Sequence, residues 1–221
     1  LVAGPLPLSE RMSKRSEEVP PSNTLFEVMI HADESCLGNQ FMARANPGGA
    51  AGLVEFWTGN QWIRCDYWIS ESDTTNNRMA IRSAVEGIRG LARPCRLRFI
   101  SDSQYLVKGM TEWLPKWKER GWKRKGGPIE NLGLWKELDR EAERHLIEWA
   151  WVRGHVGHPR NEYADDLAVR AARGQDTSGG FQTSAFEKWL QEERDERARY
   201  LDFSEFDPPG MVADGTKSES G

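Results

Sequence analysis

Three aspartates in this 221-residue chain, Asp33, Asp102 and Asp165, stand where carboxylates could gather around a divalent metal. Asp33 ends the alternating run Leu25 to Ala32, and Asp102 comes just after the short apolar run Arg96 to Ile100. Asp165 lies early in Asn161 to Ala172, a stretch with helical spacing. Adjacent central strands would set the first two carboxylates side by side at one sheet edge, where open α/β sheets bind ligands. Hard carboxylate oxygens suit Mg2+ or Mn2+. Two such ions about 3.5–4 Å apart activate a water and stabilise the leaving oxygen of a phosphodiester. Aspartates taken singly more often cap helices and turns, so the trio gains meaning only from its neighbours.

The elements that must position these residues follow from periodicity. Leu25 to Ala32 predicts a strand, and Gly49 to Thr58 with Gln61 to Ser70 predict two more around the hairpin signal Gly59-Asn60. Thr74 to Leu91 is helical, its apolar residues from Met79 to Leu91 recurring at three- and four-residue steps. Arg96 to Ile100 is a short strand. Ser103 to Met110 and Glu112 to Arg120 are helical, with a break at Gly109 or Pro115. Asn131 to His145 is an amphipathic helix, Leu146 to Val152 a strand, Gly154 to Pro159 a loop and Asn161 to Ala172 a final helix. That order implies an α/β domain with a mixed sheet.

Charge divides the chain. Residues 174–221 hold eleven acids against five bases, a net of −6, whereas residues 21–173 carry 22 bases against 20 acids, a net of +2. We expect a disordered segment over 1–23, one domain over 24–173, and an acidic, mostly flexible tail whose one candidate helix spans 184–200. Such a tail would compete with nucleic acid for basic surface on the domain. Cys36, Cys65 and Cys95 are odd in number and widely spaced, so neither a disulfide framework nor a zinc knuckle is expected, and a reducing cytoplasm is. No apolar run approaches the roughly 20 residues of a membrane helix. The opening Leu-Val-Ala-Gly-Pro-Leu-Pro-Leu lacks a basic leader and does not read as a signal peptide. A monomer without a membrane partner is the expectation.

Between Trp113 and Lys125, six bases (Lys116, Lys118, Arg120, Lys123, Arg124, Lys125) face one acid, Glu119, with Trp113, Trp117 and Trp122 interleaved. Phosphate neutralisation is the expected use of such a patch, and it makes binding salt-dependent. The alternatives are a solvated charged face, and tryptophans that pack a protruding helix onto its support. Gly48-Gly49-Ala50-Ala51-Gly52 lacks the Lys-Ser/Thr ending of a phosphate loop.

Six blocks in order name a family: Asp33 to Asn39, Thr74 to Met79, Ser101 to Leu106, Trp113 to Asp139, Trp151 to Pro159, and Asn161 to Ala168. Together they resemble type 1 ribonuclease H from about residue 24 to 172. The resemblance implies a ribonuclease H-like α/β fold, a five-stranded mixed sheet flanked by helices, and Mg2+-dependent cutting of the RNA strand of RNA–DNA hybrids. It makes Asp33, Asp102 and Asp165 metal ligands, with Asp33 bridging two ions, and His155 an aid to proton transfer or product release. Asn39, Thr75, Asn76, Asn77 and Gln104 would contact the hybrid's backbone and minor groove, where 2′-hydroxyls distinguish RNA from DNA. Lys116, Lys118, Lys123, Trp117 and Trp122 would complete the substrate surface.

One residue departs from the pattern. Ala80 stands where the family has the glutamate that binds the second metal and touches the 2′-hydroxyl. Glu34, in place of a glycine usual beside the first aspartate, is one candidate to supply the carboxylate; Glu71 and Asp73 are others. Alternation would point Glu34 away from Asp33's side unless the strand end loosens. The rival expectation is a catalytically impaired module that binds hybrid or double-stranded RNA. A DNA-acting relative of the fold is a third reading.

Overall fold

Alternating apolar runs build a meander of β1 (Phe26–Cys36), β2 (Gly48–Trp57) and β3 (Trp62–Glu71), each antiparallel to the last. β4 (Cys95–Ser101) and β5 (Leu146–Trp151) then add in parallel on the other side of β1. The computed structural model describes residues 25–38, 46–58, 60–154 and 157–204, and its sheet runs β5-β4-β1-β2-β3-β6. Five strands were expected. The sixth, β6 (Gln182–Thr183), is two residues long, comes from beyond the expected domain, and pairs antiparallel with β3.

Helices cover both faces. α1 (Asn76–Arg89) starts at Thr75, whose Oγ1 accepts from the Arg78 amide at 3.3 Å, an ordinary N-cap. α2 (Gln104–Lys108) starts at Ser103 and passes through a π turn, Gly109–Trp113, into α3 (Leu114–Glu119). The break expected at Gly109 or Pro115 thus falls at Gly109, and packing explains the residue: a Cβ there would overlap the indole of Trp135. α4 (Leu132–Ala142) carries Trp135, fully buried, and α5 (Pro159–Gly174) follows β5. α1 to α4 pack on one sheet face around Ile30, Phe99 and Trp135. On the other face Leu53 meets Tyr163 and Leu167 of α5. Among the described residues, no helix is long and apolar enough to cross a membrane.

The segment after α5 reads by charge as mostly flexible, yet its described part is seated. The candidate helix over 184–200 is α6 (Phe186–Arg197). It buries Phe186 and Leu190 against Tyr163 and Leu53, and Trp189 Nε1 donates to Asp166 Oδ2 at 2.8 Å. Below it, fully buried Glu55 accepts from Arg64 Nε at 2.8 Å and Arg160 Nε at 2.5 Å, and Arg64 Nη1 reaches Glu187 at 2.5 Å. α6 therefore lies on the sheet face opposite α3. Up to residue 204, nothing places this segment near the basic patch with which it was expected to compete.

Candidate active site

The parallel pairing of β1 with β4 ends at Ala32↔Ser101, so Asp33 and Asp102 emerge next to each other. β1 does not stop there: it runs on to Cys36, paired to β2 from Asp33↔Ala51 to Cys36↔Gly48. Asp33 is thus inside a strand, where the sequence placed it at the strand's end. Beyond Ser101 the flank of β1 that β4 covered is open, and side chains occupy it.

Alternation sends Asp33 and His31 to the α5 side of the sheet and Glu34, with Ile30 and Ala32, to the α1 side. The strand end is not loosened, yet one carboxylate oxygen from each of Asp33, Glu34 and Asp102 lies within 4.8 Å of the others. The two side chains reach round the same edge from opposite faces. Asp33 is 5% exposed; it accepts from the Glu34 amide at 2.7 Å and from Asn161 Nδ2 at 3.1 Å. Burial, then the charges of Asp102 and Asp165, push its pKa up to about 8 against those two hydrogen bonds. Burial, then Asp33 and Asp102, also raise Glu34 well above the usual carboxylate range, opposed by a hydrogen bond from Ser103. Asp165 acts on Asp33 from α5 through its charge but is not one of the close trio.

This donor set fits a divalent cation. All its atoms are oxygens, as hard cations prefer, and crowding of like charge is what such an ion relieves. Asn161 adds a further sign. It is 2% exposed, and its Oδ1 has no hydrogen-bond partner among the described residues. Sequence reasoning passed over Asn161, although it stands four residues before Asp165 and so shares its helix face. It also missed Ser103, which caps α2 and steadies Glu34.

Ala80 is 1% exposed and packs in the α1-side core with Ile30 and Ala32. Glu34 leaves β1 towards that same side of the sheet. The other two candidates for the absent carboxylate are engaged elsewhere. Asp73 accepts from the Asn46 amide at 3.1 Å. Glu71 accepts from Arg78 Nε at 2.8 Å and Nη2 at 3.0 Å, and from Arg82 Nη1 at 2.5 Å. Burial alone would raise the Glu71 pKa, but hydrogen bonds from Arg78, Arg82 and Thr74 outweigh it and hold the group at about 2. Its contribution to stability is therefore present above the ordinary 4.5 and lost as pH falls towards 2. Both arginines are one-third or more exposed, so Glu71→Gln is expected to cost only about 1–2 kcal/mol at pH 7. The difference should vanish near pH 2 in urea melts, with cleavage retained throughout the neutral range.

The remaining expected residues divide. Thr75, Asn76 and Asn77 are exposed at the start of α1, and Gln104 is exposed at the start of α2, two residues after Asp102. Lys116 and Lys123 are exposed, as a phosphate-binding role requires. Two others need correction. Trp117 is 8% exposed and packs against Trp113 at 6.0 Å and, edge-on, Trp135 at 5.8 Å, so its ring chiefly supports α3. Lys118 Nζ is held at the surface by Asp139 at 2.8 Å and Glu143 at 3.0 Å, so its charge is shared with two carboxylates. Trp122 is half-buried against the core, with Lys136 over its ring at 5.5 Å. Asn39 and His155 lie outside the described residues.

Comparison with known proteins agrees with this arrangement. The RNase H family model matches residues 26–173, which is β1 to α5. Ribonuclease H of Stutzerimonas stutzeri (strain A1501) is 43% identical over 144 residues, 65% of this chain and 89% of that protein. Ribonuclease HI of Pseudomonas aeruginosa (strain PAO1) is 44% identical over 146 residues, 65% of this chain and 92% of that protein. Among solved structures, LC9-RNase H1, described as a type 1 RNase H with the type 2 active-site motif, is 47% identical with a TM-score of 0.72. That match covers 82% of this chain and 86% of LC9-RNase H1. The PFV RNase H domain, 19% identical over 70% of this chain and 99% of its own, shares the fold at a TM-score of 0.59. Matched from the first strand to the helix that bears Asp165, the chain belongs to the ribonuclease H family.

Proposed function

We infer that this protein is an endoribonuclease that hydrolyses the RNA strand of RNA–DNA hybrids, dependent on a divalent metal. The observation that carries the reading is the convergence of Asp33, Glu34 and Asp102 within 4.8 Å at the end of paired strands. Glu34 supplies the carboxylate that Ala80 cannot, from the same side of the sheet. Departure from the usual set within this fold has a precedent in LC9-RNase H1, a type 1 enzyme described as carrying the other type's motif.

The resident ion is Mg2+, with Mn2+ as a substitute, held by Asp33, Glu34 and Asp102 and faced by Asp165. When bound, such an ion lowers the pKa of water and stabilises charge on phosphate oxygens. The chain's own residues do the rest. Asn161 fixes the orientation of Asp33 by donating to one of its oxygens. Gly154 lies so close to the Asp102 carboxylate that a Cβ there would overlap it, which backs Asp102 with main chain. Asn76, Asn77 and Gln104, exposed at the starts of α1 and α2, would read 2′-hydroxyls and backbone in the minor groove. Lys116 and Lys123 neutralise phosphates further along the duplex, with Trp122 beside Lys123 completing that surface. For His155 and Asn39 we keep the roles that the resemblance implies. We keep the expectation of a monomer, and of a reducing cytoplasm, with which three free cysteines are compatible.

The test uses end-labelled RNA–DNA hybrid, single-stranded RNA and double-stranded DNA, each with Mg2+ or Mn2+, beside an Asp102→Asn control. We expect shortened RNA from the hybrid alone, and none from the control. Hybrid binding without products under either metal would instead make the protein a binding module.

A further inference from the structure

The family match ends at residue 173, yet chain beyond it reaches back to the entrance of α5, the helix that carries Asn161 and Asp165. After α6 the backbone passes through left-handed positions at Ala198 (φ 51°) and Tyr200 (φ 57°). A bulky aromatic adopts that conformation rarely, and its surroundings must hold it there. Arg194 Nε donates to its carbonyl at 3.3 Å, Trp189 flanks its ring at 5.8 Å, and a further set of contacts runs to one carboxylate. The Arg199 guanidinium bonds both Glu162 Oε2 and the Tyr200 hydroxyl, and that hydroxyl donates to Glu162 Oε2 at 2.9 Å. The other guanidinium nitrogen of Arg199 reaches Glu193 Oε2 at 2.9 Å, which ties the group to α6.

Glu162 passes this constraint on. Its second oxygen accepts from the Gly157 amide at 3.0 Å, and Gly157 sits at φ 83°, a conformation open to glycine. A second contact runs in parallel. Phe203 meets the His158 ring edge-on at 6.2 Å and lies under the Arg160 guanidinium at 4.8 Å. His158 in turn stacks at 5.3 Å on His31, two residues before Asp33. A purely stabilising role does not account for the polar part of this arrangement. Phe186 and Leu190 already anchor the segment, and an ion pair as exposed as Arg199–Glu162 (40% and 20%) adds little to stability.

We propose that Arg199 and Tyr200 are positioning residues which, through Glu162, fix Gly157 and the start of α5 and so hold Asn161 against Asp33. Turnover by this protein then depends on chain beyond the residues that the family model matches. The inference rests on the nuclease reading, and its test separates the two. In the full chain, Arg199→Ala and Tyr200→Phe are expected to lower kcat on a labelled hybrid about five- to tenfold while KM stays within about twofold. Arg199→Lys, which keeps the charge, should recover part of the loss. Phe186→Leu, a packing change alone, should lower the melting temperature and leave kcat unchanged. In 1H–15N spectra the Gly157 amide should lose protection from exchange in Arg199→Ala. Parental kcat in both Arg199→Ala and Tyr200→Phe would overturn the proposal. If the unaltered chain cleaves nothing, only the nuclease reading falls. The Gly157 amide then decides: lost protection supports the brace, and unchanged exchange overturns it.

Discussion

Glu34→Gln is expected to lower hybrid cleavage in Mg2+ by about a hundredfold or more, with the fold intact. The substitution keeps shape and removes one ionisable oxygen from a trio whose oxygens lie within 4.8 Å of one another. In metal-free buffer the change should be neutral or stabilising, because burial, Asp33 and Asp102 all disfavour charge on Glu34. With Mg2+ present the order should reverse, since the parent gains stability from the ion and the variant gains less. Steady-state cleavage and thermal melts with and without Mg2+ read both effects. Adding Ala80→Glu to Glu34→Gln should restore part of the activity, because position 80 lies on the side from which Glu34 comes. Full activity with lost metal-free stability would make Glu34 a structural residue, and Ala80 would then mark a real deficit.

Phe186→Ala should cost about 3–5 kcal/mol in urea unfolding, as large a loss as for an aromatic of a central core. The ring is fully buried, edge-on to Tyr163 at 5.4 Å and beside Trp189 at 6.1 Å. Arg64 and Arg160 pack on it at 5.4 and 5.9 Å, so its removal also loosens the cations that neutralise buried Glu55. Leu201→Ala, at a side chain 69% exposed, should change nothing measurable. A cost below about 1 kcal/mol at Phe186 would mean that α6 is loosely held, since full burial of a phenyl ring implies more.

Most of the sheet and the helices was legible because apolar period carries them, and the neighbouring aspartates were legible because parallel strands end together. Glu34 was harder. Alternation correctly assigns it to the other face, but alternation fixes direction at the backbone and not where a three-bond side chain ends. Trp117 and Lys118 misled for a related reason. A basic, tryptophan-rich run looks like a nucleic-acid surface, and only the partners Trp135 and Asp139 on α4 and Glu143 at its end show which members are already engaged. The docking of α6 is signalled by Phe186, Trp189 and Leu190 at helical spacing, three residues that the acidic composition around them obscures. Asn161 lacked a signal of its own, because a neutral amide supports a carboxylate only once the fold brings them together.

The pairing of Gln182 and Thr183 with Asp66 and Cys65, continued by Ser184 N to Arg64 O at 3.2 Å and Ser178 N to Trp68 O at 2.9 Å, has a consequence for life at high concentration. Without it, the outermost long strand would present a row of unsatisfied amides and carbonyls to any passing neighbour, the usual start of edge-to-edge aggregation. The chain closes that margin with its own next residues, so solubility and the integrity of its carboxyl-terminal third are tied together.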